Sequence, residues 1–265
     1  MEEARRFLRY VFPGLAFLIE VSIYLWISDY FLCGNQRLFS NSIGKYINNT
    51  AFPWSIFVTS GGVGFILSVI YHTFYWVYLP PYCKMNKGIN RELTRRFKLL
   101  SRVDHREALR VAVDNRWIEI QQRNGPRADI RCFNRSDAWV IVTEFWHEHL
   151  KIFPKIEGAN PRTDSLTDIM HGLGAAYIGS ILSFFILFIY NVYLVKEPFS
   201  LSRSIPFLLS ILMATLHNIN FSRTISHFQR IVDIIFLDIL RDNHYKSGEP
   251  IVVTSPALPH HRETG

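Results

Sequence analysis

Four long apolar runs alternate with strongly charged stretches along the sequence. The runs occupy residues 10–33, 54–79, 169–195 and 205–222. A helix needs about 20 mainly apolar residues to cross the hydrocarbon core of a bilayer. The first three runs exceed this length, and the fourth is marginal because His217 and Asn218 interrupt its end. The pattern predicts an all-α, polytopic membrane protein with four transmembrane helices.

The distribution of Lys and Arg predicts which segments stay in the cytoplasm. Segment 81–168 contains 17 Lys and Arg residues against 12 Asp and Glu, whereas segment 34–53 contains only Arg37 and Lys45. Basic segments next to transmembrane helices remain on the cytoplasmic side. With four spans, both chain ends and segment 81–168 are therefore expected inside, and the expected location is the plasma (inner) membrane.

The N-terminus argues against a cleaved signal peptide, and the cysteines argue against a disulfide or metal framework. The first apolar run follows basic residues, as in a signal peptide, but it is too long and lacks a small-residue cleavage site. We therefore expect an uncleaved first span. Cys33, Cys83 and Cys132 have no C-x-x-C spacing, so they predict neither a disulfide framework nor a cysteine metal cluster.

Segment 81–168 is long enough for a mainly helical cytosolic domain inserted between the second and third transmembrane helices. Within it we predict helices over 89–100, 104–122 and 136–153, followed by a loop over 154–164. The expected organisation is transmembrane helices one and two in 1–80, the basic cytosolic domain in 81–168, transmembrane helices three and four in 169–222, an amphipathic helix in 223–246 and a flexible tail in 247–265.

The amphipathic helix has a continuous apolar face. That face carries Phe221, Ile225, Phe228, Val232, Ile235 and Ile239. Such a stripe packs against an apolar surface. Three placements are open: on the membrane surface, as a continuation of the fourth span, or against the 81–168 domain.

Glu20 lies near the middle of the first span, where a charged side chain costs about 3 kcal/mol on insertion scales. Such a residue faces the bundle interior or a subunit interface. We expect a polar partner, with Ser60, Asn191 and a neighbouring subunit's Glu20 as candidates. A role in an ion path and a purely structural hydrogen bond are both open.

Three histidines, His72, His171 and His217, lie near the predicted cytoplasmic ends of spans. Because histidine changes charge near neutral pH, a cluster of them could act as a pH sensor or gate. Interfacial histidines are also common as simple polar anchors. His72 and His217 join Glu20 as candidates for an intramembrane polar or ion path.

Small residues predict close helix packing. They are Gly61 and Gly64 in the second run, and the Ala175, Gly179 and Ser183 ladder in the third. Small residues at this spacing let helix backbones approach closely in membranes. We expect them inside the bundle or at a homo-oligomer interface.

A basic run follows the second span. Its members are Lys84, Lys87, Arg91, Arg95, Arg96 and Lys98. Attraction to anionic headgroups, worth about 1 kcal/mol per basic residue, is the preferred explanation. A nucleotide, nucleic-acid or acidic-partner site is the alternative, but no phosphate-binding loop or RNA-binding signature supports it.

Two carboxylate–histidine pairs have i, i+3 spacing: Glu144 with His147, and Asp168 with His171. This spacing places both side chains on one helix face and is used in dinuclear metal bundles. A dinuclear site needs two further carboxylates, which the sequence does not supply at a matching depth. The motif therefore defines a metal-site hypothesis, and the sequence indicates no specific cofactor.

Three functions follow from these features. The first is a non-enzymatic homo-oligomer, acting as a regulated channel-like or membrane-perturbing effector or as a membrane sensor, controlled through its cytosolic domain and a ligand or protein partner. The second is a membrane-embedded metalloenzyme that uses the carboxylate–histidine pairs. A transporter ranks below both, because the sequence shows no inverted repeat.

The four-span topology is testable with reporter fusions. A fusion after Asn49 is expected outside the cytoplasm, and fusions after Asn124 and Gly265 inside, because of the contrast in basic residues described above. Paired alkaline phosphatase and fluorescent protein reporters measure both states at each site. An external signal at Asn124 would contradict the topology.

Overall fold

The computed structural model describes residues 2–30, 52–78, 103–122, 135–195 and 204–255. Its helices are α1 (Glu2–Arg6), α2 (Phe12–Tyr30), α3 (Phe52–His72), α4 (Arg106–Asp114), α5 (Arg135–His149), α6 (Pro154–Ile189) and α7 (Ser204–Ser247). Short π-helical segments adjoin three of them, at Phe7–Val11, Thr73–Tyr78 and Tyr190–Val195. The strands are β1 (Ile118–Gln122) and β2 (Ile251–Ser255).

Four helical stretches are long and apolar enough to cross a membrane: Glu3–Asp29, Ser55–Tyr75, Pro154–Val192 and Ser204–Ser247. The mostly helical fold and the number of spanning helices predicted from the apolar runs are confirmed. These helices indicate a membrane-embedded protein.

The chain forms two compact units. The first consists of residues 1–101 and 167–224, and its described part contains four spanning helices; we call it the four-helix unit. The second consists of residues 102–166 and 225–265, and it contains helices and both strands; we call it the mixed unit. The long helices α6 and α7 each contribute residues to both units.

Side-chain contacts fix the helix directions in the four-helix unit. Along α2, α6 and their adjoining π-helical segments the pairs Arg9–Asp168, Glu20–Ser180 and Ser28–Asn191 advance together, so these helices run parallel. The α6–α7 contacts run in opposite order, since Ser210 donates to the Ser180 carbonyl and Phe207 meets Phe184 edge to face. Glycine contacts likewise show α3 to be antiparallel to α2.

Two glycines bring the first and second spans into backbone contact. A Cβ atom on Gly14 would overlap the Ser60 carbonyl oxygen, and one on Gly64 would overlap that of Tyr10. By contrast, a Cβ on Gly61 would meet only Val11, at 4.0 Å, and one on Gly62 would meet nothing within 4 Å. Only a residue without a side chain fits at the two crossing positions.

The mixed unit has its own apolar core. Fully buried members include Leu109 on α4, Ile141 and Phe145 on α5, and Phe236 on α7. The Phe145 and Phe236 rings meet edge to face with centroids 5.0 Å apart. Strands β1 and β2 pair in parallel, with Ile118 opposite Ile251.

The prediction of a single helix over 104–122 is wrong in its second half. Helix α4 ends at Asp114, and Arg116 adopts a left-handed conformation with φ of 58° that redirects the chain. Ile118 and Ile120 are then buried alternately in β1. Period-two burial of two isoleucines stabilises a strand against β2, so the fold is not purely helical.

Two further segments differ from expectation. The predicted loop over 154–164 is the first part of α6, which begins at Pro154, where the missing N–H costs nothing. Within the tail that was predicted to be flexible over 247–265, Ile251–Ser255 forms β2, because its β-branched residues pair with β1. Residues 256–265 lie outside the described residues. The predicted helix over 89–100 lies outside the described residues.

The amphipathic face of residues 221–239 is buried along most of its length. Helix α7 is continuous from Ser204 to Ser247, so this segment continues the fourth span. Its C-terminal part packs in the mixed unit, where Phe228 contacts Trp139 with ring centroids 5.9 Å apart. The segment therefore continues the fourth span and also packs against part of segment 81–168.

The crossing of the first two spans depends on Gly64. Gly64→Ala is expected to lower the free energy of unfolding by about 1–3 kcal/mol, because the new methyl group meets backbone that cannot yield. Gly62→Ala is the matched control and is expected to be neutral or slightly stabilising, since alanine favours helix by up to about 1 kcal/mol. Thermal unfolding in detergent measures both. Equal behaviour of the two variants would show that the crossing is not tight.

Candidate intramembrane polar site

Three polar contacts occur at regular intervals along α2 and α6. The Arg9 guanidinium binds Asp168, Glu20 binds Ser180, and Asp29 binds Tyr190. Arg9 and Asp29 are separated by about 30 Å of helix at 1.5 Å per residue, which is close to the thickness of the hydrocarbon core. The outer two contacts are therefore about one hydrocarbon thickness apart along the helix, and Glu20 lies near the middle of that interval.

The Glu20 carboxylate connects three spanning helices. It is 5% exposed, and its Oε1 accepts a hydrogen bond of 3.0 Å from the Ser180 hydroxyl of α6. The His217 Nε2 of α7 lies 3.1 Å from the same oxygen. The prediction that Glu20 faces the interior is confirmed, but both proposed intrachain partners are wrong. Ser60 donates to the Phe57 carbonyl, and Asn191 accepts from Ser28.

Glu20 and His217 supply each other with a polar partner inside the four-helix unit. An unpaired polar group at such a buried position is costly, so each side chain favours the packing that keeps the other in place.

The Glu20 carboxylate has a further buried neighbour, the hydroxyl of Tyr24, one helical turn away on α2. The two groups are close enough to interact electrostatically and through a hydrogen bond. Glu20, Tyr24 and Ser28 form a buried stripe at i, i+4 and i+8 on α2. This polar stripe is a sequence signal that the initial prediction overlooked.

The opposite face of α2 is apolar and exposed. Ile19, Ile23 and Trp26 are 47%, 46% and 57% exposed. This face suits contact with lipid, while the polar stripe is sealed inside the unit.

A groove of about 360 Å³ lies between α6 and α7, beside Glu20's partner Ser180. Its apolar lining includes Ile181, Phe184 and Ile211. Its polar lining consists of Ser180, Ser210, Thr215 and Asn218.

The predicted histidine cluster forms only in part. The His72 and His171 rings are in contact, tilted by 42° with centroids 4.6 Å apart, and Tyr71 contacts His171 edge-on. His217 instead contacts Glu20. Because α7 continues to Ser247, His217 lies inside the four-helix unit rather than at the end of a span. Asp168 binds Arg5 and Arg9 at the same end of the unit as His171.

Most of the small residues predicted to mediate packing are buried between helices of the same chain. Ala175 and Ser183 are fully buried, and a Cβ on Gly179 would contact Phe17 and Leu67 at 3.3 Å each. Gly64 forms the crossing described above. A homo-oligomer interface therefore needs a surface other than the ladder, and the oligomer remains a prediction.

The metal-site hypothesis gains no geometric support. Glu144 and His147 belong to α5 of the mixed unit, whereas Asp168 and His171 belong to the four-helix unit. Within the described ranges, no group of three or more His, Cys, Asp or Glu side chains could hold a metal ion. Asp168 instead forms an ion pair with Arg9, and the His171 ring contacts the His72 ring.

The predicted headgroup site lies outside the described residues. Its members are Lys84, Lys87, Arg91, Arg95, Arg96 and Lys98. The attraction to anionic lipids stays a prediction.

The mixed unit contains a second ionisable pair, formed by a buried histidine and a half-buried aspartate, which sequence reasoning missed. His105 is 1% exposed, and its Nδ1 lies 2.6 Å from Asp233 Oδ1 of α7. The ring stacks on Trp139, and its Nε2 is buried without a partner among the described residues. The neighbouring Asp104 backbone exchanges two hydrogen bonds with the Gln229 amide. These contacts attach the start of the unit to α7.

Comparison of the chain with protein-family models, curated proteins and solved structures found no match.

Two buried serines of α6 allow the contribution of the Glu20 contact to stability to be distinguished from that of general helix packing. Ser180→Ala removes a donor to Glu20 and is expected to lower the free energy of unfolding by about 1–2 kcal/mol. Ser183→Ala is the matched control, because Ser183 is equally buried and, among the described residues, bonds only the Gly179 carbonyl of its own helix. Denaturant unfolding in detergent measures the difference. The account of the site fails if the two variants are equally stable.

Proposed function

We propose that this protein is a non-enzymatic, homo-oligomeric membrane effector with channel-like output, and that the Glu20–Ser180–His217 contact controls its conformation. The observation that carries the proposal is the single mid-membrane carboxylate that joins α2, α6 and α7. A proton, ion or helix movement that breaks this contact exposes polar groups that lipid cannot solvate. The bundle then lowers its free energy by admitting water or by assembling polar faces between copies.

Regulation through the mixed unit is the second part of the proposal. Helices α6 and α7 carry Ser180 and His217 in the four-helix unit and also contribute residues to the mixed unit. A ligand or protein partner of the mixed unit therefore acts on the same two helices. We expect the basic segment 81–168 to lie in the cytoplasm and to contact anionic headgroups.

Glu20→Gln tests this function in proteoliposomes loaded with an ion-sensitive dye. The wild-type protein is expected to raise ion leakage above that of empty liposomes. Glu20→Gln preserves the shape and hydrogen bonding of the side chain but removes its charge, so the protein is expected to fold and the leakage to fall to the empty level. Ser183→Ala is the control and is expected to retain wild-type leakage.

Two outcomes would contradict the proposal. Wild-type leakage equal to that of empty liposomes would exclude channel-like output. Unchanged leakage in folded Glu20→Gln would show that Glu20 serves only as a structural hydrogen-bonding group.

A further inference from the structure

Basic side chains gather at the end of the four-helix unit where the first span begins. Asp168 of α6 binds both Arg5 and Arg9, whose side chains are 38% and 39% exposed. The His72 and His171 rings are in contact beside them, and the Arg9 guanidinium is close enough to interact electrostatically with both rings. This group combines four basic residues with one carboxylate, and we call it the basic cluster.

The basic cluster keeps hydrogen-bond donors that no described residue occupies. Arg9 binds Asp168 through its Nε atom, which leaves the two terminal amino groups of the guanidinium without a partner among the described residues. The half-buried His72 ring likewise has no hydrogen-bond partner in the described part of the chain. With two guanidinium groups against one carboxylate, the cluster carries a net positive charge even when both histidines are neutral. Its charge and its donors both favour an anion.

The position of the basic cluster along the first span suits a lipid phosphate. Arg9 lies about 16 Å along the helix from Glu20, which is close to half the hydrocarbon thickness. With Glu20 near the middle of the span, we expect the cluster at the level where the hydrocarbon core meets the lipid headgroups. The exposed guanidinium groups can then contact a phosphate without entering the hydrocarbon.

An apolar face of α3 continues from the basic cluster toward the middle of that helix. Phe65, Val69 and His72 follow one another at i, i+4 and i+7, so they lie on one face of the helix. Phe65 and Val69 are 56% and 49% exposed. Because α3 ends at His72, a hydrocarbon chain that starts at the cluster can lie along this face. The cluster and the face match the two parts of a phospholipid.

We propose that the basic cluster binds the phosphate of an acidic phospholipid, held by Arg9 and His72, with an acyl chain along Val69 and Phe65. The net positive charge favours a lipid with a net negative charge over a zwitterionic one, since basic residues near the surface attract anionic headgroups. A soluble phosphate compound lacks the chain that the α3 face accommodates. These residues are separate from the basic run after the second span, and the inference does not depend on the proposed channel-like output.

Native mass spectrometry of the full-length protein tests the proposal. The protein is released from detergent that contains equal amounts of phosphatidylglycerol and phosphatidylcholine, two lipids that share the phosphodiester group and differ in net charge. Wild type is expected to retain one phosphatidylglycerol at least about fivefold more than phosphatidylcholine, which is the ratio that attraction to one basic residue provides.

Three variants make the test specific. His72→Phe keeps an aromatic ring but removes its donor, so retention of phosphatidylglycerol is expected to fall about two- to tenfold, the loss of one net hydrogen bond. Arg9→Gln removes the charge and is expected to abolish the preference between the two lipids. Arg223→Gln is the matched control and is expected to keep that preference, because Arg223 is exposed near the same end, where Phe221 contacts Tyr71.

Three results would overturn the proposal. Equal retention of the two lipids by wild type would show that the cluster does not select a negative charge. Equal losses in Arg9→Gln and Arg223→Gln would show diffuse attraction to the surface rather than a site. A melting temperature that rises with inorganic phosphate, in protein that retains neither lipid, would show that the cluster binds a soluble phosphate compound. If Arg9→Gln fails to fold, His72→Phe still decides, because unchanged retention of phosphatidylglycerol would place the lipid elsewhere.

Discussion

The four-helix unit depends on a single problem of solvation: a carboxylate near the middle of a membrane-spanning helix. No lipid group can hydrogen-bond Glu20, so neighbouring helices must supply the partners. Ser180 and His217 do so from α6 and α7 at 3.0 and 3.1 Å. One side chain therefore fixes the rotation and relative height of three helices at once.

Two further polar contacts fix the helices in the same way. Arg9 with Asp168, and Asp29 with Tyr190, align the same helices on either side of Glu20. Between these polar contacts α6 approaches α2 through Gly179, and α2 in turn crosses α3 where Gly14 and Gly64 bring the backbones together. Polar contacts set the register, and small residues permit the distance at which those contacts can form.

The sequence predicts the spans well because the bilayer requires long apolar runs, and it predicts that Glu20 is buried because charge cannot face lipid. It does not predict the partners of Glu20, since Ser180 and His217 are distant in sequence and their depth depends on helix register. Strand β1 was missed for a related reason. Its two isoleucines fit a short helix or a strand, and the choice depends on pairing with β2 at the far end of the chain.

The central claim is that Glu20 and His217 stabilise the bundle through their mutual contact, and a double-mutant cycle measures this most directly. The free energies of unfolding of wild type, Glu20→Leu, His217→Leu and the double variant are compared in one detergent. Each single change removes one partner of the buried contact and leaves the other group with one partner fewer, so the double variant is expected to be more stable than the sum of the single effects, by about 1 kcal/mol or more. Additive effects would show that the two side chains do not interact and would contradict the account.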